Sequence, residues 1–156
     1  MAKYDDASWH YGGDFPKELE NERGATHIGM FLTWCIDNDL VSEFQIEEAG
    51  DDIQKVRERS MSGTEFLINN CDEKFTDEDL NEIGNEFTSA YYEDSPFSNL
   101  YGPFLKDYCA LFEGEAKNIN QVLESVYHVE DSWATYALVK SVIDKRFDEW
   151  KLFAKK

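Results

Sequence analysis

The sequence predicts a mainly α protein: a single compact helical domain of five to six helices with an irregular amino-terminal segment. Three observations predict it. Apolar residues recur at helical spacing along most of the chain from Ile28 onward, with little strand-like alternation. Cap residues stand before two of these runs, Ser62 and Thr76, each with an acid three positions on. A chain of 156 residues, 42% hydrophobic and 15% aromatic, can bury one core of useful size. No internal repeat or low-complexity segment divides it, so 1–156 reads as one domain.

The elements follow in order. Residues 1–24 hold Gly12, Gly13 and Pro16 among aspartates and aromatics, a loop or short hairpin laying its rings on the body. From Thr26, Ile28, Phe31, Leu32, Cys35 and Ile36 mark one helical stripe, and His27, Met30 and Trp34 a second. A helix apolar on two faces belongs at the centre. A short helix over 51–59 carries Ile53 and Val56. Ser62 and Glu65 then form a capping box, with Met61 and Phe66 as its hydrophobic staple. Thr76 and Asp79 repeat the device with Phe75 and Leu80, and Leu80, Ile83, Phe87, Ala90 and Tyr91 continue one apolar face. EDSPFSN (93–99) breaks the chain. Pro103 opens a helix containing Phe104, Leu105, Tyr108, Leu111 and Phe112, which Gly114 ends. A short helix over 118–125 and an extended VYHV (126–129) follow. A long helix runs from Ser132 to the end, with Tyr136, Val139, Ile143, Phe147, Trp150 and Ala154 on one stripe.

Charge narrows the function. The formal net charge is −18, from 33 acidic and 15 basic residues. Residues 1–100 carry 24 acids and 7 bases (−17), and residues 101–156 carry 9 and 8 (−1). Such a chain is repelled by nucleic acid and by anionic membrane, so neither is expected as a partner, and a basic protein is. The segment DEKFTDEDLNEIGNE (72–86) concentrates the excess. Asp77, Glu78 and Asp79 complement a helix dipole there. Glu82 and Glu86 stand four residues after Glu78 and Glu82 respectively and repel them, at a cost of about 0.3 kcal/mol per pair. An unpaired acidic ridge makes sense against a basic surface.

Known catalytic and metal patterns are absent along the chain. A calcium loop begun at Asp72 puts Lys74 third and Ile83 twelfth; one begun at Asp37 puts Val41 fifth and Ser42 sixth. His10, His27 and His128 have neither HxH nor HExxH spacing, and no nucleophile elbow or phosphate loop occurs. No catalytic residue, bound metal or cofactor is therefore expected. Cys35 and His27 lie two turns apart on one helix and cannot pair. His10, Asp14 and His27 converge only if the amino-terminal loop folds over the first long helix, which leaves a small hydrolase or transferase as the rival reading. The cysteines Cys35, Cys71 and Cys109 are odd in number and widely spaced, as free thiols of a reducing compartment are. With no apolar leader and no run of about 18 apolar residues, a cytoplasmic location is expected.

KYDDASWHYGGDFPKEL (3–19), GATHIGMFLTW (24–34) and CDEKFTDEDLNEIGN (71–85), with YHVEDSW (127–133) and RFDEWK (146–151), resemble a family of small acidic bacterial proteins of unknown function. Some members resemble immunity genes beside polymorphic or contact-dependent toxins. The resemblance implies no catalytic residues. Taken with the acidic charge, it points to a cytosolic immunity protein that blocks a basic toxin domain by shape and charge. Asp72, Glu73, Asp77, Glu78, Glu82 and Glu86, with Glu43, Glu47, Glu48, Asp51 and Asp52, would form an acidic rim. Tyr91, Tyr92 and Phe97 would be exposed anchors.

Overall fold

The chain runs β1 (Lys3–Asp6), α1 (Ala7–Tyr11), a 3-10 turn (Asn21–Ala25), α2 (Thr26–Asp37), α3 (Glu43–Arg57), α4 (Gly63–Cys71), β2 (Lys74–Thr76) and a second 3-10 turn (Asp77–Asp79). Then come α5 (Glu82–Tyr91), α6 (Pro96–Tyr101), α7 (Phe104–Asn118), a third 3-10 turn (Val126–His128) and α8 (Trp133–Ala154). This computed structural model describes residues 3–11 and 15–155. The fold is mainly α, with one small antiparallel sheet of β1 and β2.

The two stripes of α2 do place it at the centre: every residue from Thr26 to Ile36 is buried. Its tightest neighbour is α4. A Cβ on Gly63 would lie 2.1 Å from the Gly29 carbonyl oxygen, so the two backbones touch where no side chain intervenes. Aromatic rings fill the space on the other side. Phe31 packs 5.0 Å from Phe104, 5.8 Å from Phe75 and 6.2 Å from Phe87, centroid to centroid. Burying each such ring contributes about 2–3 kcal/mol. Polar ties fix α8 to this core: the Trp34 indole donates to Asp144 at 2.8 Å, and the Tyr136 hydroxyl to Asp37 at 2.6 Å. Arg146 makes a forked contact with Asp107, which also accepts from the Tyr91 hydroxyl.

Several elements differ from the sequence expectation, each for a physical reason. The amino-terminal segment is no internal hairpin; β1 pairs with β2, some seventy residues away, with a register shift between Lys3 and Asp5. Helix α3 begins eight residues before the expected 51–59, at the Ser42 cap, and kinks at Ala49, which breaks its apolar periodicity. Thr76 and Asp79 do form a capping box, but over a single 3-10 turn. The helix proper starts at Glu82, capped by Asn81, so Leu80 pairs with Val41 in a β-bridge and Ile83 is left 52% exposed. The breaker EDSPFSN contains the start of α6, with Ser95 as its cap and Pro96 at its first position. Gly114 does not end α7, which continues to Asn118. No helix forms over 118–125 beyond that residue, and 126–128 is a 3-10 turn.

Candidate functional site

The β1–β2 pairing puts Asp5 at the heart of the molecule. Its register shift breaks the usual alternation, so Tyr4, Asp5 and Asp6 are all buried. Asp6 accepts from the Ser8 amide and hydroxyl at 3.0 and 2.7 Å and so starts α1 directly after the strand. Ala7 and His10 of α1 then seat against Gly24, where a Cβ would meet the Ala7 carbonyl oxygen at 3.2 Å. This close seat brings His10 over the first turn of α2, beside His27.

The result is a closed polar cluster. His10 Nε2 lies 2.7 Å from Asp5 Oδ1, and His27 Nε2 lies 3.0 Å from Asp5 Oδ2. The Asp6 amide donates to Oδ1 at 2.8 Å, and the Tyr92 hydroxyl donates to Oδ2. A carboxylate can only accept, so each imidazole presents an Nε2–H to it. His10 Nδ1 is then the acceptor facing the Tyr127 hydroxyl at 2.8 Å. The two imidazoles meet edge to face, 4.4 Å apart at 81°. Arg23 donates to the Val129 carbonyl at 2.8 Å and, at 3.5 Å, to that of Tyr127, whose ring packs 4.9 Å from Phe15.

Electrostatics follow from burial. Desolvation alone would raise the Asp5 carboxyl, but hydrogen bonds from His10 and His27 outweigh it and hold the carboxyl well below the usual carboxylate range. Burial pushes His27 below the ordinary histidine value, although Asp5 pulls the other way. The Tyr92 hydroxyl is driven up by burial and by the Asp5 charge, so it remains a donor. The Tyr108 hydroxyl, on a ring 6.1 Å from His27, is buried without a hydrogen-bond partner among the described residues. Chemically, the arrangement holds a buried anion, fixes two imidazole tautomers and leaves one half-buried imidazole nitrogen opposite a phenol.

The sequence points to His10 and His27 and to the fold-over that unites them, but not to Asp5 or Tyr127, and to Tyr92 only as an exposed anchor. Asp14 lies outside the described residues. The missing signal was in YDD (4–6): Asp5 reads as one more surface acid until β1 is known to be interior.

The expected interface residues separate into three groups. Glu43, Glu47, Glu48, Asp51, Asp72, Glu78, Glu82 and Glu86 are exposed. Asp52, Glu73 and Asp77 are half-buried; Asp52 accepts from Asn70 at 2.9 Å and Glu73 from the Tyr11 hydroxyl at 2.7 Å. Tyr91, Tyr92 and Phe97 are not exposed anchors. Tyr91 is a core residue and the Tyr92 hydroxyl is spent on Asp5, because the apolar face of α5 turns inward against Phe31 and Phe104; Phe97, on α6, is buried against Phe153. Exposed large apolar side chains lie instead at several places along the chain, among them Leu100, Val122 and Leu152; those set among the expected acids are Phe44 and Ile46 of α3. Phe44, Asn70, Asp72 and Glu78 line one groove; Asn70 also lines the next, with Ile46, Glu47, Glu48, Asp51 and Asp52. Two expected acidic clusters are thereby joined across Asn70. Glu82 and Glu86 stand apart on α5, and Glu78 is not in their helix, so only one of the two expected repulsive pairs exists.

Fold and cluster together define a mainly α domain organised round a buried carboxylate bridging two imidazoles. The chain belongs to the family described as Domain of unknown function (DUF7832), which matches residues 3–129. That span contains all five members of the cluster and stops short of α8. No curated protein and no solved structure matches the chain. No helix among the described residues is long and apolar enough to cross a membrane.

Proposed function

We propose that the protein is a cytosolic immunity protein that binds and occludes a basic toxin domain. One observation carries the reading: Phe44 and Ile46 are 54% and 51% exposed on α3, set among Glu43, Glu47 and Glu48. An exposed aromatic ringed by carboxylates has the make-up of an interface hot spot inside a charged rim. The net charge of −18 would steer a basic partner towards it, giving fast, salt-sensitive association. The partner to try is the basic carboxy-terminal domain of a secreted toxin encoded next to this gene. Cells expressing that domain should survive when the protein is present and die when it carries Phe44→Ala with Glu48→Lys and Glu78→Lys. Undiminished protection by a folded triple variant, or no binding to the adjacent toxin, would remove the reading.

A second reading, a small hydrolase or transferase, is favoured by the convergence of His10 and His27 on Asp5. His10 would act as general base, oriented by Asp5. Turnover of an ester or phosphoester panel that disappears with His10→Ala would establish it; no turnover by the purified chain would sink it.

A further inference from the structure

Linear spacing offers no pair of histidine ligands, but the fold makes a ligand set from three separate elements. Asp5 of β1, His10 of α1 and His27 of α2 bring one carboxylate oxygen and two imidazole nitrogens within 4.8 Å of one another. Three features go beyond a polar staple. Asp5 is buried, and among the described residues the two imidazoles are its only ionic partners; no lysine or arginine neutralises it. A lone buried carboxylate is costly, and its charge must be met by a proton on an imidazole or by a cation. The rings meet edge to face, so both Nε2 atoms point at the same carboxylate. The outer sides are braced as metal ligands are: His10 Nδ1 by the Tyr127 hydroxyl, and Asp5 by Tyr92 and the Asp6 amide.

We propose that Asp5, His10 and His27 form a binding site for a divalent first-row transition-metal ion such as Zn²⁺. Two imidazoles and one carboxylate are a common ligand set for such ions, and they leave a further coordination position open. The present spacings, 2.7 Å to Oδ1 and 3.0 Å to Oδ2, are shorter than the about 3.3 Å between ligand atoms around zinc, so the three side chains must open to admit an ion. On binding, each Nε2 gives up its hydrogen: the imidazole proton moves to Nδ1, and any second proton passes to solvent. His10 Nδ1–H then donates to the Tyr127 oxygen. Affinity rises with pH wherever an imidazole must first lose a second proton. The site is independent of the docking reading. It shares side chains with the enzyme reading but requires no catalysis, so metal binding without turnover sustains the site and removes only the enzyme.

The test is titration of the metal-free full chain with Zn²⁺ by calorimetry and with Co²⁺ by visible absorption. One ion per chain is expected, with ligand-field bands that vanish in His10→Ala and Asp5→Asn. Tyr127→Phe should bind about tenfold more weakly, through lost bracing alone. A decoy exists in the exposed Glu18, Glu124 and His128 cluster, so His128→Ala should bind as the parent does. Because ligand variants can fail to fold, ring-nitrogen NMR of the parent supplies an independent readout: Zn²⁺ should move the Nε2 resonances of His10 and His27 and leave those of His128. No binding by the parent, or resonance shifts confined to His128, overturns the proposal.

Discussion

Gly63 lies so close to Gly29 that a single added carbon on Gly63 would stand 2.1 Å from the Gly29 carbonyl oxygen and from Thr33 Oγ1. The contact is backbone against backbone, so no rotamer change can relieve it. Gly63→Ala should cost about 3 kcal/mol or more, read as a fall in the urea midpoint. Gly114 is the control. It sits within α7 with open space around it, so Gly114→Ala should raise stability by up to about 1 kcal/mol. Equal effects at the two positions would mean that α2 and α4 can part.

The family match ends at residue 129, but the fold does not. Tyr136, Val139 and Ile143 of α8 are buried, and Phe147 packs 5.1 Å from Trp34 and 4.9 Å from Phe87. Truncation after residue 129 should abolish cooperative unfolding, seen as loss of a sigmoidal thermal transition. A truncated chain that melts sharply would make α8 an accessory.

Acid should destabilise the protein from near neutrality. His27 is lowered by burial below its ordinary value, so the unfolded chain binds the proton that the fold refuses. Its contribution is complete above about pH 6.5 and declines as pH falls, with a slope of up to about 1.4 kcal/mol per unit. Asp5, held low by its imidazole partners against the opposing pull of burial, adds a loss of the same sign below about pH 3.9. Asp79 runs the other way: burial raises its carboxyl, so its contribution is complete at strongly acid pH and is lost as pH climbs through its folded value. Melting temperatures in metal-free buffer should fall between pH 7 and pH 5, and His27→Asn should flatten that slope whatever its effect on the level. A flat parental profile would mean that His27 holds its proton in the fold.

The interface reading separates energy from steering. Phe44→Ala should change the melting temperature little, because the ring is 54% exposed, and should raise the dissociation rate of the partner at least tenfold, about 1.4 kcal/mol. Glu48→Lys with Glu78→Lys should instead slow association and make it less sensitive to salt. Surface plasmon resonance over a salt series distinguishes the two. Charge variants that leave the on-rate unchanged would detach the acidic grooves from the contact.

How much of this was legible in the residues depends on the range over which each signal acts. Helix periodicity and caps are local, and the sequence determined them by itself: the two stripes of α2, the Ser62 capping box and the long helix after Ser132 all stand as read. Where a local signal was overruled, a distant contact did it. Thr76 and Asp79 cap only one turn because Asp79 is also bound by Gln45 of α3 at 2.7 Å, and Leu80 leaves for a bridge with Val41. The cluster is half legible: His10 and His27 stand out in the sequence, but Asp5, which both contact, belongs to a strand defined only by pairing with residues 74–76. Tyr91 illustrates the limit from the other side. Its spacing puts it on an apolar face, yet only the packing of α5 against Phe31 and Phe104 decides that this face is core rather than interface. Composition set the charge and the size of the core. Which acids meet across Asn70, and which one is buried between two histidines, was decided by tertiary structure, because burial belongs to the whole assembly and not to any stretch of chain.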